Sequence, residues 1–143
     1  MQKIRAFTII EFLVVACVVF AMITLLTPFV RMAKARANKI YCANNLRQIS
    51  LGLHKYALDH NKAFPGSLGE LYPNYLSDQS VFDCPASKNL GTKDAPDYTY
   101  NPGLTESSLP GAVIVQDKYE NHKKAGKNIL RVNGSVEWIS EAR

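Results

Sequence analysis

The sequence has no CxxC pair and no Cys/His spacing of the kind that holds zinc. It has no Gly-rich phosphate-cradling loop and no HExxH. Its three histidines, His54, His60 and His122, have no neighbouring Ser, Cys or Asp arranged as a recognisable catalytic triad. These absences put an enzyme well behind a structural or binding protein, and no cofactor is expected. The longest gap is in charge. From Phe7 to Val30, 24 residues carry a single ionisable side chain, Glu11. What is present is the composition of a folded protein: 47% hydrophobic and 20% charged residues in a chain of 143. Setting aside the first 30 residues leaves 31–143, enough for one small core and too little for two domains.

Seventeen Lys and Arg against twelve Asp and Glu give a formal charge of +5. Lys3 and Arg5 precede the apolar run, and Arg31, Lys34, Arg36 and Lys39 follow it. Cations on both flanks of an apolar segment match lipid headgroups, so membrane lipid is the first partner to consider. Of the three cysteines, Cys17 lies inside the apolar run and acts there as a small hydrophobe. Cys42 and Cys84 belong to the polar part. They are one candidate disulfide if that part lies outside the cytoplasm, and two buried free thiols otherwise.

The run FTIIEFLVVACVVFAMITLLTPFV is long enough to cross a bilayer as a helix, for which ~20 residues suffice. It is too long for the apolar region of a cleaved secretory signal, which spans ~7–15 residues. Basic residues on both sides leave orientation open by charge alone. The six-residue leader is too short to be a domain, so the C-terminal body is read as the exported part. Glu11 stands out, because a charge at the centre of a membrane helix costs roughly 2.5–3.5 kcal/mol on insertion scales. Such a residue calls for a functional role and a named partner.

The stretch around Phe7-Thr8-Ile9-Ile10-Glu11-Phe12 resembles the processing site of type IV prepilins and type II secretion pseudopilins. There a short basic leader ends in a small residue, usually Gly, and Phe-Thr-Leu-Ile-Glu-Leu follows. Here Ala6 takes the place of Gly and Phe12 that of the last Leu. The resemblance implies cleavage between Ala6 and Phe7 by a prepilin peptidase that also N-methylates Phe7. It places Glu11 where the family keeps its glutamate, and Pro28 where many pilins carry a helix-kinking proline. It further implies homo- or hetero-filament partners among other pilin or pseudopilin subunits, an inner-membrane platform protein and an assembly ATPase. The location implied is the inner membrane, single-pass, with the C-terminal domain in the periplasm or outside, and a filament after assembly. The physics is consistent. Cleavage would create an ammonium on Phe7, and burying it together with a neighbour's Glu11 is tolerable where burying either alone is expensive. Such a pair could set axial register, a use of buried polar groups attested in coiled coils. A same-chain pair, four residues apart, is also open.

Beyond Pro28 the pattern remains helical. Cys42, Leu46, Ile49, Leu53 and Tyr56 fall on one face, with Asn44, Arg47, Gln48 and Lys55 opposite. A helix from about Phe7 to Asp59 is expected, bent at Pro28, which removes a hydrogen bond, and weakened at Gly52 by ~1 kcal/mol. Phe64-Pro65-Gly66 signals a turn. Ser67 to Glu70 reads as a capping box opening a short helix to about Tyr72. Residues 83–96 read as loop. Strands are expected at Asp97–Tyr100, Ala112–Gln116, Ile129–Val132 and Ser135–Ile139, the last two flanking the hairpin signal Asn133-Gly134. The fold class expected is α+β and type IV pilin-like: a long N-terminal helix, transmembrane in its first half, packed on a small antiparallel sheet. The organisation is a leader over 1–6, a transmembrane and assembly helix over 7–30, and a soluble pilin-like domain over 31–143.

The segments Cys42–Ile49, Phe82–Pro85 and Asn128–Trp138 also resemble a pilin-like class with a His, nine residues, then Asp-Gly near the C-terminus. Here His122 is followed by ten residues and Asn133-Gly134, so only a structural role is assigned to that turn. The exported location implied by the resemblance favours a Cys42–Cys84 disulfide, which would tie the long helix to the loop before the sheet. No metal is expected. Asp117 and Glu120 are the only carboxylates in the loop before the hairpin, too few for calcium. Lys118, Lys123, Lys124 and Lys127 read as a solvated loop without a base-stacking platform, so nucleic acid is not an expected partner. The chain is thus expected to be a structural pilin or pseudopilin subunit of a type IV pilus or type II secretion pseudopilus. The alternative is an uncleaved, single-pass, membrane-anchored binding domain outside the cytoplasm.

Overall fold

A computed structural model describes residues 8–122 and 125–140. The chain divides into two units, Met1–Lys34 and Ala35–Arg143. One α-helix, α1 (Ile9–Asp59, 51 residues), supplies the first unit and opens the second. Pro28, where the sequence predicts a bend, lies inside this helix. A proline inside a helix lacks one donor, leaves the carbonyl four residues back unpaired and presses its ring against that carbonyl. Thr24 and Thr27 just before it turn their hydroxyls onto the carbonyls of Ala21 (2.8 Å) and Ile23 (2.6 Å), hiding two polar groups inside an apolar stretch.

In the second unit α1 has two unlike faces. Cys42, Leu46, Ile49, Leu53 and Ala57 are buried, while Asn44, Arg47, Gln48 and Lys55 are exposed. The stripe expected from the sequence is thus present, except that Ala57 rather than the half-buried Tyr56 completes it. Gly52 lies on the buried side, where an added Cβ would sit 3.0 Å from Leu76 Cγ. Its small size lets Leu76 pack close, which accounts for a residue that helix propensity alone disfavours.

The segment after α1 is compact. A 3₁₀ turn, Leu68–Leu71, buries Leu68 and Leu71. Ser67 does not cap it through the backbone, contrary to the capping-box expectation; its hydroxyl donates instead to Glu70 Oε1 at 3.2 Å. A second 3₁₀ turn, Gln79–Phe82, opens with Asp78 accepting from the Ser80 amide at 2.8 Å and buries Val81 and Phe82. Four strands follow: β1 (Tyr98–Tyr100), β2 (Val113–Asp117), β3 (Gly126–Arg131) and β4 (Val136–Ser140). They pair antiparallel in chain order, with Tyr98 opposite Asp117, Gln116 opposite Ile129, and Ile129 opposite Glu137.

The β3–β4 turn is a hairpin, but not a two-residue one. Gly134 alone has positive φ (81°) and its amide donates to Arg131 C=O at 2.9 Å. Asn133 Oδ1 accepts from the Ser135 amide at 3.0 Å. This is a type I turn closed by a glycine in the left-handed region, the usual three-residue solution. Arg131 and Glu137 form an ion pair across it at 3.0 Å. The core joins the inner face of α1 to the two 3₁₀ turns and to Tyr98, Ile114, Val115, Leu130 and Val132. The architecture is therefore α+β, a long N-terminal helix with a four-stranded antiparallel sheet.

Candidate functional site

The first feature with functional content is the N-terminal stretch of α1. It is long and apolar enough to cross a membrane, and its most apolar window buries nothing within the chain. Phe20 and Leu25 are about seven-tenths exposed, and Ile23, Leu26, Phe29 and Val30 are also exposed. A helix apolar on all sides requires an apolar surround, either lipid or other helices. Glu11 sits at its start. The Thr8 amide and hydroxyl each donate to Glu11 Oε2 at 2.9 Å, and the Glu11 amide reaches Thr8 Oγ1 at 3.4 Å. This reciprocal arrangement is a capping box, in which the carboxylate satisfies an otherwise orphaned backbone donor. The partner of Glu11 here is Thr8, which sequence reasoning did not name. Ala6 and Phe7 lie outside the described residues.

The second feature is buried in the 35–143 unit. Cys42, on the inner face of α1, is joined to Cys84 by a disulfide, with the two Cα atoms 5.6 Å apart. Cys84 is held from the other side by Asp97, whose Oδ2 accepts its amide at 3.1 Å while Oδ1 accepts the Ser87 hydroxyl at 3.1 Å. Asn121 donates to the Asp97 carbonyl at 2.9 Å and so ties the loop after β2 to the same point. That loop delivers His122, whose Nε2 lies 3.8 Å from Cys84 Sγ and 3.1 Å from Asp117 Oδ2.

Asp117 is the last residue of β2 and its side chain is fully buried. The expectation of a loop carboxylate beside Glu120 is thereby corrected: the strand runs one residue further and turns Asp117 inward. Its Oδ2 accepts from the Asn128 amide and from Asn128 Nδ2, both at 2.8 Å. Asn128 Nδ2 also donates to the Lys39 carbonyl on α1 at 3.2 Å. Three donors thus converge on Oδ2. Oδ1 is buried and has no hydrogen-bond partner among the described residues. Trp138 on β4 closes the site. Its ring meets His122 edge-on at 5.3 Å, and Lys39 Nζ stands 4.1 Å over its centroid.

Cys42, Cys84, Asp117 and His122 each present one donor atom, and the four lie within 4.8 Å of one another. The sequence, with no CxxC pair and no Cys/His spacing of the kind that holds zinc, does not predict this group. The sequence signal that could have pointed to it is Asp117 five residues before His122, just enough to leave a strand and turn back. The other two histidines are placed differently. His54 Nδ1 meets Glu106 Oε1 at 3.2 Å, and His60 stacks on Tyr56 at 3.8 Å between ring centroids. The lysines first grouped as one loop also separate. Lys127 lies on β3 and donates to Gln116 Oε1 at 2.9 Å, while Lys123 and Lys124 lie outside the described residues.

Burial shifts the pKa of two tyrosines of β1. Burial raises the Tyr98 hydroxyl far above its ordinary value; it donates to the Asp83 carbonyl at 3.2 Å. Burial, assisted by the Glu70 charge, pushes Tyr100 up to about 12; its hydroxyl donates to the Pro65 carbonyl at 2.6 Å. Both groups favour the fold while protonated, so their contribution is intact below the ordinary tyrosine pKa and is lost as pH rises through the raised one.

No family model matches the chain, and no curated protein or solved structure matches it.

Proposed function

We propose that the chain is a pilin or pseudopilin subunit, made as a precursor, cleaved after Ala6 and assembled through the first part of α1. The observation that carries this reading is an apolar helix exposed on every side that continues unbroken into a folded α+β body, with the prepilin-like Phe7 to Phe12 motif at its start. Burying that surface against neighbouring helices would supply cohesion at about 25 cal/mol per Å² of apolar area. The Glu11 carboxylate, next to a new Phe7 ammonium, would set register. The body would face the periplasm or the outside, where its disulfide persists. A prepilin peptidase, a platform protein and an assembly ATPase would be the partners, as the resemblance implies.

The capping box makes the test sharper. Glu11→Ala removes both the charge and the cap, whereas Glu11→Gln removes the charge and retains an acceptor for the Thr8 amide. With the body folded in both, loss of sheared-filament or pseudopilus assembly in both variants is expected. Assembly of Glu11→Gln at the wild-type level would sink the register argument and leave Glu11 as a helix cap.

A further inference from the structure

The buried group around His122 has one ligand-capable atom more than its hydrogen bonds use. Asp117 Oδ1 is fully buried and has no hydrogen-bond partner among the described residues, although three donors crowd the other oxygen of the same carboxylate. A buried acceptor without a partner is expensive, and such an atom points to an occupant. The donors around it are of the kinds zinc takes: two cysteine sulfurs, an imidazole nitrogen and a carboxylate oxygen. The four donor atoms lie within 4.8 Å of one another, close enough to converge on one ion. With bonds of about 2.3 Å to sulfur and 2.1 Å to nitrogen or oxygen, the edges of a zinc tetrahedron are roughly 3.4–3.8 Å. Cys84 Sγ and His122 Nε2, 3.8 Å apart, match that edge, while His122 Nε2 and Asp117 Oδ2, at 3.1 Å, stand at hydrogen-bond distance and open slightly when both turn to a metal.

We propose that this group is a zinc site exclusive with the disulfide: Cys42, Cys84, His122 and Asp117 bind one Zn²⁺ when the cysteines are reduced, and none when they are bonded. A disulfide offers no thiolate, so the oxidised group lacks its two strongest ligands. Reduction by a dithiol transfers two electrons and two protons to the Cys42–Cys84 bond; the S–S bond breaks, two thiols form, and the reductant leaves as its own cyclic disulfide. Zn²⁺ then displaces the two thiol protons to solvent as two Zn–S bonds form. His122 gives up its Nε2 proton to solvent, keeps or takes up one on Nδ1, and contributes the freed Nε2 lone pair, while Asp117 contributes a carboxylate oxygen. The sulfurs move apart by less than 2 Å, from a bonded ~2.05 Å to roughly 3.8 Å across the tetrahedron, which side-chain rotation supplies. The fold is then pinned at the same point in both oxidation states, by a covalent bond in one and by a metal in the other. Asn128 would orient Asp117 from outside the ligand set, as the partners of metal-bound carboxylates commonly do.

The experiment uses the full chain in detergent micelles, oxidised, or reduced with excess dithiol that is then removed without air. Each form is titrated with Co²⁺ and afterwards with Zn²⁺. The reduced chain is expected to bind one Co²⁺ with the thiolate charge-transfer and visible absorption of a tetrahedral site, and to release it to one Zn²⁺. The oxidised chain is expected to show neither. His122→Ala and Asp117→Asn, checked for folding by circular dichroism in the oxidised form, are each expected to weaken zinc binding by about tenfold or more. Zinc X-ray absorption of the wild type, which needs no variant, is expected to show two sulfur and two nitrogen or oxygen neighbours. A reduced chain without a tetrahedral cobalt spectrum would overturn the proposal. So would equal binding in both oxidation states, wild-type affinity in both variants, or a zinc shell of oxygen alone.

Discussion

Replacing Cys42 and Cys84 together by serine is expected to lower the stability of the 35–143 body by about 4 kcal/mol. The bond joins residues 42 apart in sequence. In the chain-entropy description, cutting a loop of that length releases unfolded-state freedom worth ~4 kcal/mol. Two further effects act in the same direction. Cys42 and Cys84 are fully buried, so serine hydroxyls in their places must find partners in an apolar setting. The bond also joins α1 to the loop that receives Asp97, Ser87 and His122, so its loss loosens several contacts together. For a body of this size the midpoint of thermal unfolding is expected to fall by roughly 15–25 °C. Trp138, the one tryptophan in the sequence, sits against His122 and reports the transition by fluorescence. A fall of under about 5 °C would show that the bond constrains little, and that the buried face of α1 holds the body by packing alone.

Asp117→Ala is expected to cost about 3–5 kcal/mol, the range for removing one partner from a buried charged network. The substitution leaves the Asn128 amide, one bond of its side-chain amide and the His122 ring without their shared acceptor. Each buried donor so stranded costs about 1–3 kcal/mol. Asp117→Asn keeps the volume and one acceptor oxygen and is expected to cost less than half as much. Chemical unfolding of the three chains, followed at Trp138, separates these results. Equal stability of Asp117→Ala and the wild type would mean that the carboxylate is no better than break-even, its three hydrogen bonds only offsetting the desolvation of a buried charge.

The elements legible in the sequence are those that repeat. The spacing of Cys42, Leu46, Ile49 and Leu53 defines the buried face of α1 because a helix of 51 residues leaves many turns in which the period can show. The strands around Asn133-Gly134 are legible because turn chemistry is local, though the three-residue loop depends on Gly134 alone adopting positive φ. The 3₁₀ turn Gln79–Phe82 is not legible, although Phe82 is fully buried, because four residues carry no period. β3 begins at Gly126, ahead of its apolar centre, since Lys127 and Asn128 belong to the strand through their pairing with Ile139 and Trp138 rather than through their hydrophobicity. The buried polar group is the hardest to read. The Cys42–Cys84 pairing is legible only through the exported location that the pilin resemblance implies, and Asp117 and His122 sit among lysines and asparagines in a stretch that looks solvated. Only the inward turn at the end of β2 and the return of the next loop bring them to the disulfide.

Those same long-range contacts concern the body alone. The assembly reading rests on the helix ahead of it and on the motif at its start. The intact mass of the protein extracted from its native membranes tests that reading most directly. The account predicts a chain that begins at Phe7, lacks Met1 to Ala6 and carries one added methyl group. A full-length, unmethylated mass would contradict it and make the anchored binding domain the better description.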